Sequence, residues 1–127
     1  MKKILSTDKA PAAIGPYSQA VRGGDYIYVS GQLPIDPATG AFAGEDIASQ
    51  TKQSLTNIKA ILESEGLSLA NVIKTTVLLQ NIGDFAAMNE VYATFFEGDC
   101  PARAAFEVAA LPKAALVEIE AVVYCGE

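Results

Sequence analysis

The sequence predicts an α+β domain in which two helices cover one face of a six-stranded mixed sheet. Three observations lead there. The chain has 127 residues, 50% of them hydrophobic and 19% charged, which suits one globular unit able to bury its own core. Its hydrophobic spacing alternates along the chain between the two-residue period of strands and the three-to-four-residue period of helices. Glycines and prolines fall between those stretches. No repeat, low-complexity tract or linker interrupts the pattern, so residues 1–127 read as a single domain.

A short strand is expected at Lys3 to Ser6. Val21-Arg22 and Tyr26-Ile27-Tyr28-Val29-Ser30 read as two strands joined by the turn Gly23-Gly24-Asp25. Pro34-Ile35-Asp36-Pro37-Ala38-Thr39-Gly40 is loop chemistry, with prolines fixing φ and Gly40 free to take positive φ. Asp36 lacks the alternating acidic partners of a calcium loop. From about Asp46 to Glu65, Ile47, Thr51, Leu55, Ile58 and Leu62 recur at helical spacing, and Gly66 is a natural stop. The β-branched run Val72 to Gln80 predicts a strand. A second helix begins near Asp84, a good N-cap, and carries Phe85, Met88, Val91, Tyr92, Phe95 and Phe96 toward Gly98. Aromatics at that spacing read as core, not as a platform for stacking bases. Arg103 to Ala109 and Leu116 to Tyr124 complete the sheet, separated by Leu111-Pro112-Lys113.

The last two strands alternate informatively. Arg103, Ala105 and Glu107 share one face, and Ala104, Phe106 and Val108 share the other. Glu118 and Glu120 oppose Val117, Ile119, Ala121 and Val123. With the apolar rows under the helices, the opposite face would display an Arg together with several Glu. Two accounts fit. One is a solvated face with weak surface ion pairs. The other is an oligomer interface with a polar pocket, whose Arg grips a carboxylate bidentately as Lys cannot.

The inventory narrows the chemistry. There is no His and no Trp, and only two Arg, Arg22 and Arg103, stand among nine basic residues. Imidazole acids and bases, Ser-His-Asp and Cys-His dyads and His-ligated metals are therefore excluded. A formal net charge of −6 argues against nucleic acid or an anionic membrane as partner. Cys100 and Cys125 form no CxxC pair and read as small buried hydrophobes in a reducing compartment. Met1-Lys2-Lys3-Ile4-Leu5 meets Ser6-Thr7-Asp8-Lys9 too soon for a signal-peptide core, and no stretch approaches a membrane span, so a cytoplasmic location is expected.

Several motifs carry a resemblance. Ala10-Pro11-Ala12-Ala13-Ile14-Gly15-Pro16-Tyr17-Ser18-Gln19, then Ser30-Gly31-Gln32, then Pro101-Ala102-Arg103 with Leu111-Pro112 and Val117-Glu118-Ile119-Glu120, resemble the RidA/YjgF family of reactive-intermediate deaminases. The Pro-Ala-Arg segment with a Val-Glu-Ile following it is the most specific piece, and the match spans the chain in order. The resemblance implies a chorismate-mutase-like fold of the bacillus type, assembled as a homotrimer whose three sheets form a central barrel, with active sites between subunits. It implies hydrolysis of 2-imino acids and their enamine tautomers to 2-keto acids and ammonia, without a cofactor. The substrates would come from pyridoxal-phosphate enzymes such as threonine and serine dehydratases. By the same resemblance, Arg103 grips the substrate carboxylate and Glu118 serves the hydrolytic water and the imine nitrogen. Tyr17 is a further catalytic candidate. Ser30, Gly31, Asn89 and the backbone of Ala105 are substrate-binding candidates. Some family members carry Cys where this chain has Ala105, so either a thiol is dispensable or this member is altered; the first is favoured, because the role assigned to that position belongs to its backbone. The alternative is a non-catalytic module of the same fold that binds small carboxylates or acts like a chaperone. Ribonuclease action within the wider family fits poorly with the negative charge and the lack of His.

Overall fold

The computed structural model describes residues 1–126. Strands β1 (Lys3–Leu5), β2 (Ala20–Gly23) and β3 (Tyr26–Gln32) precede helix α1 (Ile47–Glu63). Strand β4 (Val72–Leu79), helix α2 (Phe85–Phe95), β5 (Ala102–Glu107) and β6 (Val117–Tyr124) follow, in the predicted order. The sheet runs β1-β2-β3-β6-β4-β5. Every neighbouring pair is antiparallel except β4 and β5. Parallel strands need a crossover, and α2 supplies it. The last strand inserts between β3 and β4, which leaves β5 on an open edge.

Local chemistry sets the boundaries. Asp46 caps α1, its carboxylate accepting the Ser49 N–H at 3.1 Å. A contact from the Ser49 side chain, and after it that backbone bond, hold its pKa below the usual carboxylate value. Gly66, at φ +73°, lets the chain turn out of the helix. There Leu67 N–H donates to Leu62 O (3.0 Å) and Gly66 N–H to Glu63 O (3.1 Å), the paired bonds of a Schellman ending. The β2–β3 turn is tighter than expected, since Gly23 already pairs with Tyr26 and Gly24 takes φ +60°. The expected cap at Asp84 is replaced. Its backbone, at φ −86° and ψ 1°, is not extended as a side-chain cap requires, and it makes no capping bond. A 3₁₀ turn (Ile82–Asp84) leads into α2 instead, with Asn81 accepting the Gly83 N–H (2.8 Å) and Glu107 accepting the Ile82 N–H (2.9 Å).

Leu55, Ile58, Ile61 and Leu62 of α1 and Met88 of α2 lie against Ile27, Val77, Leu79, Val117, Ile119 and Val123, all essentially fully buried. Each such side chain contributes about 1.5–3 kcal/mol by leaving water. The predicted alternation of β6 holds, with Glu118 and Glu120 on the face away from the helices. The assignment for β5 is reversed. Thr75 pairs with Arg103 and Val77 with Ala105, and Thr75 and Val77 are buried under the helices. Cross-strand partners share a face, so Arg103, Ala105 and Glu107 lie on the helix side and Phe106 on the bare side. Alternation within β5 was legible, but the packing of α2 decides which face is inner, and its aromatic rings receive Arg103. Arg103 and Glu118 therefore lie on opposite faces of one sheet.

Candidate active site

A cleft of about 640 Å³ opens beside β3 and β6 on the bare face. Its floor is built by a register shift. Val29 pairs with Ala121 and Gln32 with Ile119, so Ser30 and Gly31 together oppose Glu120. This bulge keeps both Val29 and Gln32 buried while pushing Ser30 and Gly31 toward the cleft. Glu118 lies against Gly31 so closely that its Cδ would stand 2.9 Å from a Cβ there. Only glycine leaves that carboxylate its place. Glu118 is half-buried, and burial, then the neighbouring charge of Glu120, push its pKa upward. Among the described residues no hydrogen-bond donor reaches its carboxylate, so the oxygens remain free for water or a ligand.

One wall is the irregular segment 7–19, which contributes Ile14 and Tyr17. Buried Gln19 fastens it, accepting the Thr7 N–H (2.7 Å) and donating to the carbonyls of Thr7 (3.0 Å) and Pro11 (2.8 Å). Ser30 closes the seam, its hydroxyl donating to Ser18 O at 2.6 Å. A second wall, carrying Leu33 and Ile35, hangs from α1, where Asn57 donates to both carbonyls (3.2 and 3.0 Å). The third is the turn through Pro112 and Lys113. Lys113 and Ala114 sit at φ +57° and +58°, each costing roughly 1–2 kcal/mol for a residue with a Cβ. Two glutamine side chains flank the turn, Gln80 accepting the Leu111 N–H (3.1 Å) and Gln50 the Leu116 N–H (2.8 Å).

Tyr17, Ser30, Gly31 and Glu118 thus come together. Arg103, Asn89 and Ala105 form a second group at the β5 edge. Arg103 Nη1 donates to Asn89 Oδ1 at 2.7 Å, and its guanidinium carbon lies 4.8 Å from the Tyr92 ring centroid and 5.4 Å from that of Phe85. Val108 N–H bonds Leu79 O, so residues of even number in β5 point their backbone groups into the sheet. The N–H and C=O of Ala105 accordingly point out along the open edge. Sequence reasoning missed Glu120 and Lys113 as cleft residues, and Gln19 and Asn57 as fasteners. A buried Asn amid an apolar helical stripe was the signal available for Asn57. Cys100 also departs from expectation. It is exposed in the turn before Pro101, because α2 has already ended at Phe95, while Cys125 is partly buried. Among the described residues no cluster of potential metal ligands occurs, and no helix is long and apolar enough to cross a membrane.

An α+β sheet with a carboxylate-floored cleft on its bare face and a cradled arginine on its open edge defines a protein built to handle small polar ligands. The family model described as Endoribonuclease L-PSP matches residues 7–125. The chain belongs to that family, the RidA/YjgF family of the sequence motifs. It is 52% identical to a rat protein named 2-iminobutanoate/2-iminopropanoate deaminase over 126 residues, covering 99% of this chain and 92% of that one. The crystal structure of RidA from an Antarctic Psychrobacter matches with TM-score 0.92 and 49% identity, covering 96% of this chain and 98% of that one. Escherichia coli TdcF with bound serine matches with TM-score 0.93 and 43% identity, covering 98% and 99% respectively.

Proposed function

We propose that this protein hydrolyses 2-imino acids to 2-keto acids and ammonia, in clefts completed by a neighbouring copy within a homotrimer. One observation carries the reading: Glu118, half-buried and with its pKa raised by burial, stands in the cleft on the bare face, while the guanidinium of Arg103, whose fork fits a carboxylate, stands on the opposite face of the sheet. A 2-imino acid needs both, and the open β5 edge of an adjacent subunit would bring Arg103 and the outward backbone of Ala105 to the rim. The deaminase names of relatives at about half identity support the reaction, and the serine in TdcF is a ligand of amino-acid form.

The chemistry asks little. Protonated imine is already electrophilic, so water adds to the C=N carbon as Glu118 takes its proton. Glu118 returns that proton to nitrogen and then takes the proton of the new hydroxyl as the C–N bond breaks, so that the carbonyl forms, ammonia leaves, and the proton left on Glu118 passes to ammonia to give ammonium. Burial, then the charge of Glu120, raise the pKa of Glu118, so it takes up a proton more readily than an exposed carboxylate, and positioned acid–base action of this kind contributes about 10²- to 10⁴-fold. Arg103 and Glu118 together hold carboxylate and water in register. Tyr17 closes the cleft wall above them. The supply of such imines falls to pyridoxal-phosphate dehydratases.

The test couples the protein to a threonine dehydratase and follows 2-ketobutanoate where spontaneous hydrolysis is slow. Accelerated formation is expected. Binding of 2-ketobutanoate without acceleration would establish the non-catalytic carboxylate-binding alternative.

A further inference from the structure

Arg103 carries a full charge in a chain of net charge −6, yet no carboxylate among the described residues lies in ion-pair range of it. Its neighbours are two rings and one amide. A face-on ring stabilises a guanidinium without occupying any N–H, whereas an acidic neighbour would compete with the ligand for the same donors. Of the five N–H groups only one has a partner among the described residues, Asn89. Tyr92 is the nearer ring, 5% exposed, and its hydroxyl meets Thr75 Oγ1 at 2.7 Å in the core. Thr75 is also the cross-strand partner of Arg103. Both the strand that carries the guanidinium and the ring beneath it are thus tied to one buried residue.

We infer that Tyr92 is a positioning residue for carboxylate recognition, holding the Arg103 fork by its face so that its edge stays open to a planar carboxylate. This rests on the proposed reading of Arg103. The stacking surface is what acts on the guanidinium, and the hydroxyl locks the ring.

The experiment titrates 2-ketobutanoate calorimetrically into wild type, Tyr92→Phe and Tyr92→Leu, with thermal stability and steady-state constants measured alongside. Tyr92→Leu is expected to weaken Kd and raise KM about tenfold, the size of a partly desolvated cation–π contact, with kcat changed less than about twofold. Tyr92→Phe should lose stability, because Thr75 is left unpaired, yet bind within about twofold of wild type. If Tyr92→Leu does not fold, Phe85→Leu carries the test, with a loss of about threefold expected from its more distant ring. Wild-type affinity in the folded Leu variant, or in Phe85→Leu where that stands in, would overturn the inference. So would weakening in Tyr92→Phe that tracks its lost stability, which is the mark of a merely structural role. Failure of wild type to bind 2-ketobutanoate would overturn the assignment of Arg103 itself, and the inference with it.

Discussion

Mixing two impaired variants tests where Arg103 acts. Arg103 lies on the helix side of the sheet and Glu118 on the bare side, with β4 between their strands. One cleft can use both only if they come from different copies. Arg103→Lys replaces a fork by a point charge and should lose about 10²-fold in turnover, as should Glu118→Gln by loss of proton transfer. Light scattering should find both assembled as wild type. When the two chains are unfolded and refolded together in equal amounts, a cleft is intact wherever a copy with native Arg103 meets one with native Glu118. In a ring of head-to-tail contacts that is half of one choice times half of the other, so about one quarter of wild-type activity should return. The coupled 2-ketobutanoate assay reads it, and native mass spectrometry confirms mixed assemblies. If the mixture stays at the average of its parents although mixed assemblies have formed, the division of the site between copies is wrong.

Three further outcomes follow from the cleft. Because the pKa of Glu118 is raised on folding, the folded chain binds more protons than the unfolded one between the ordinary carboxylate value and that raised value. Its contribution to stability therefore falls as pH rises through that window, and Glu118→Gln should abolish this slope in denaturant titrations at stepped pH. Gly31→Ala should displace the Glu118 carboxylate and cost at least about tenfold in kcat/KM with an unchanged circular dichroism spectrum; full activity would show that the carboxylate does not work from this position. Asn57→Ala strands the carbonyls of Leu33 and Ile35 and should lower stability by about 1–3 kcal/mol, read as a shift in the urea midpoint.

Much of the fold was legible because it depends on short-range pattern. The α1 stripe from Ile47 to Leu62, the stop at Gly66 and the alternation of Val117 to Val123 are properties of the chain within one element. The start of α2 after Asp84 was legible too, but not the bonds that cap it, because one of them comes from Glu107, which reaches the Ile82 N–H from β5. Nor was the bulge at Ser30 and Gly31, a relation between two strands. The motifs named Tyr17, Ser30, Gly31, Glu118, Arg103, Asn89 and Ala105 as candidates of one site; that they fall into two groups, one in the cleft and one at the β5 edge, was not legible, because it depends on which face each strand turns inward. The fasteners Gln19 and Asn57 were missed because their roles are hydrogen bonds to backbone distant in sequence.

By itself the sequence determined the order of elements, the chemical inventory without imidazole and the family. Periodicity, composition and motif spacing are carried by neighbouring residues. Only the tertiary structure decided that Arg103 and Glu118 stand on opposite faces. Alternation along a strand says which side chains share a face, but the parallel pairing of β5 with β4 and the aromatic bed of α2 choose which face turns inward.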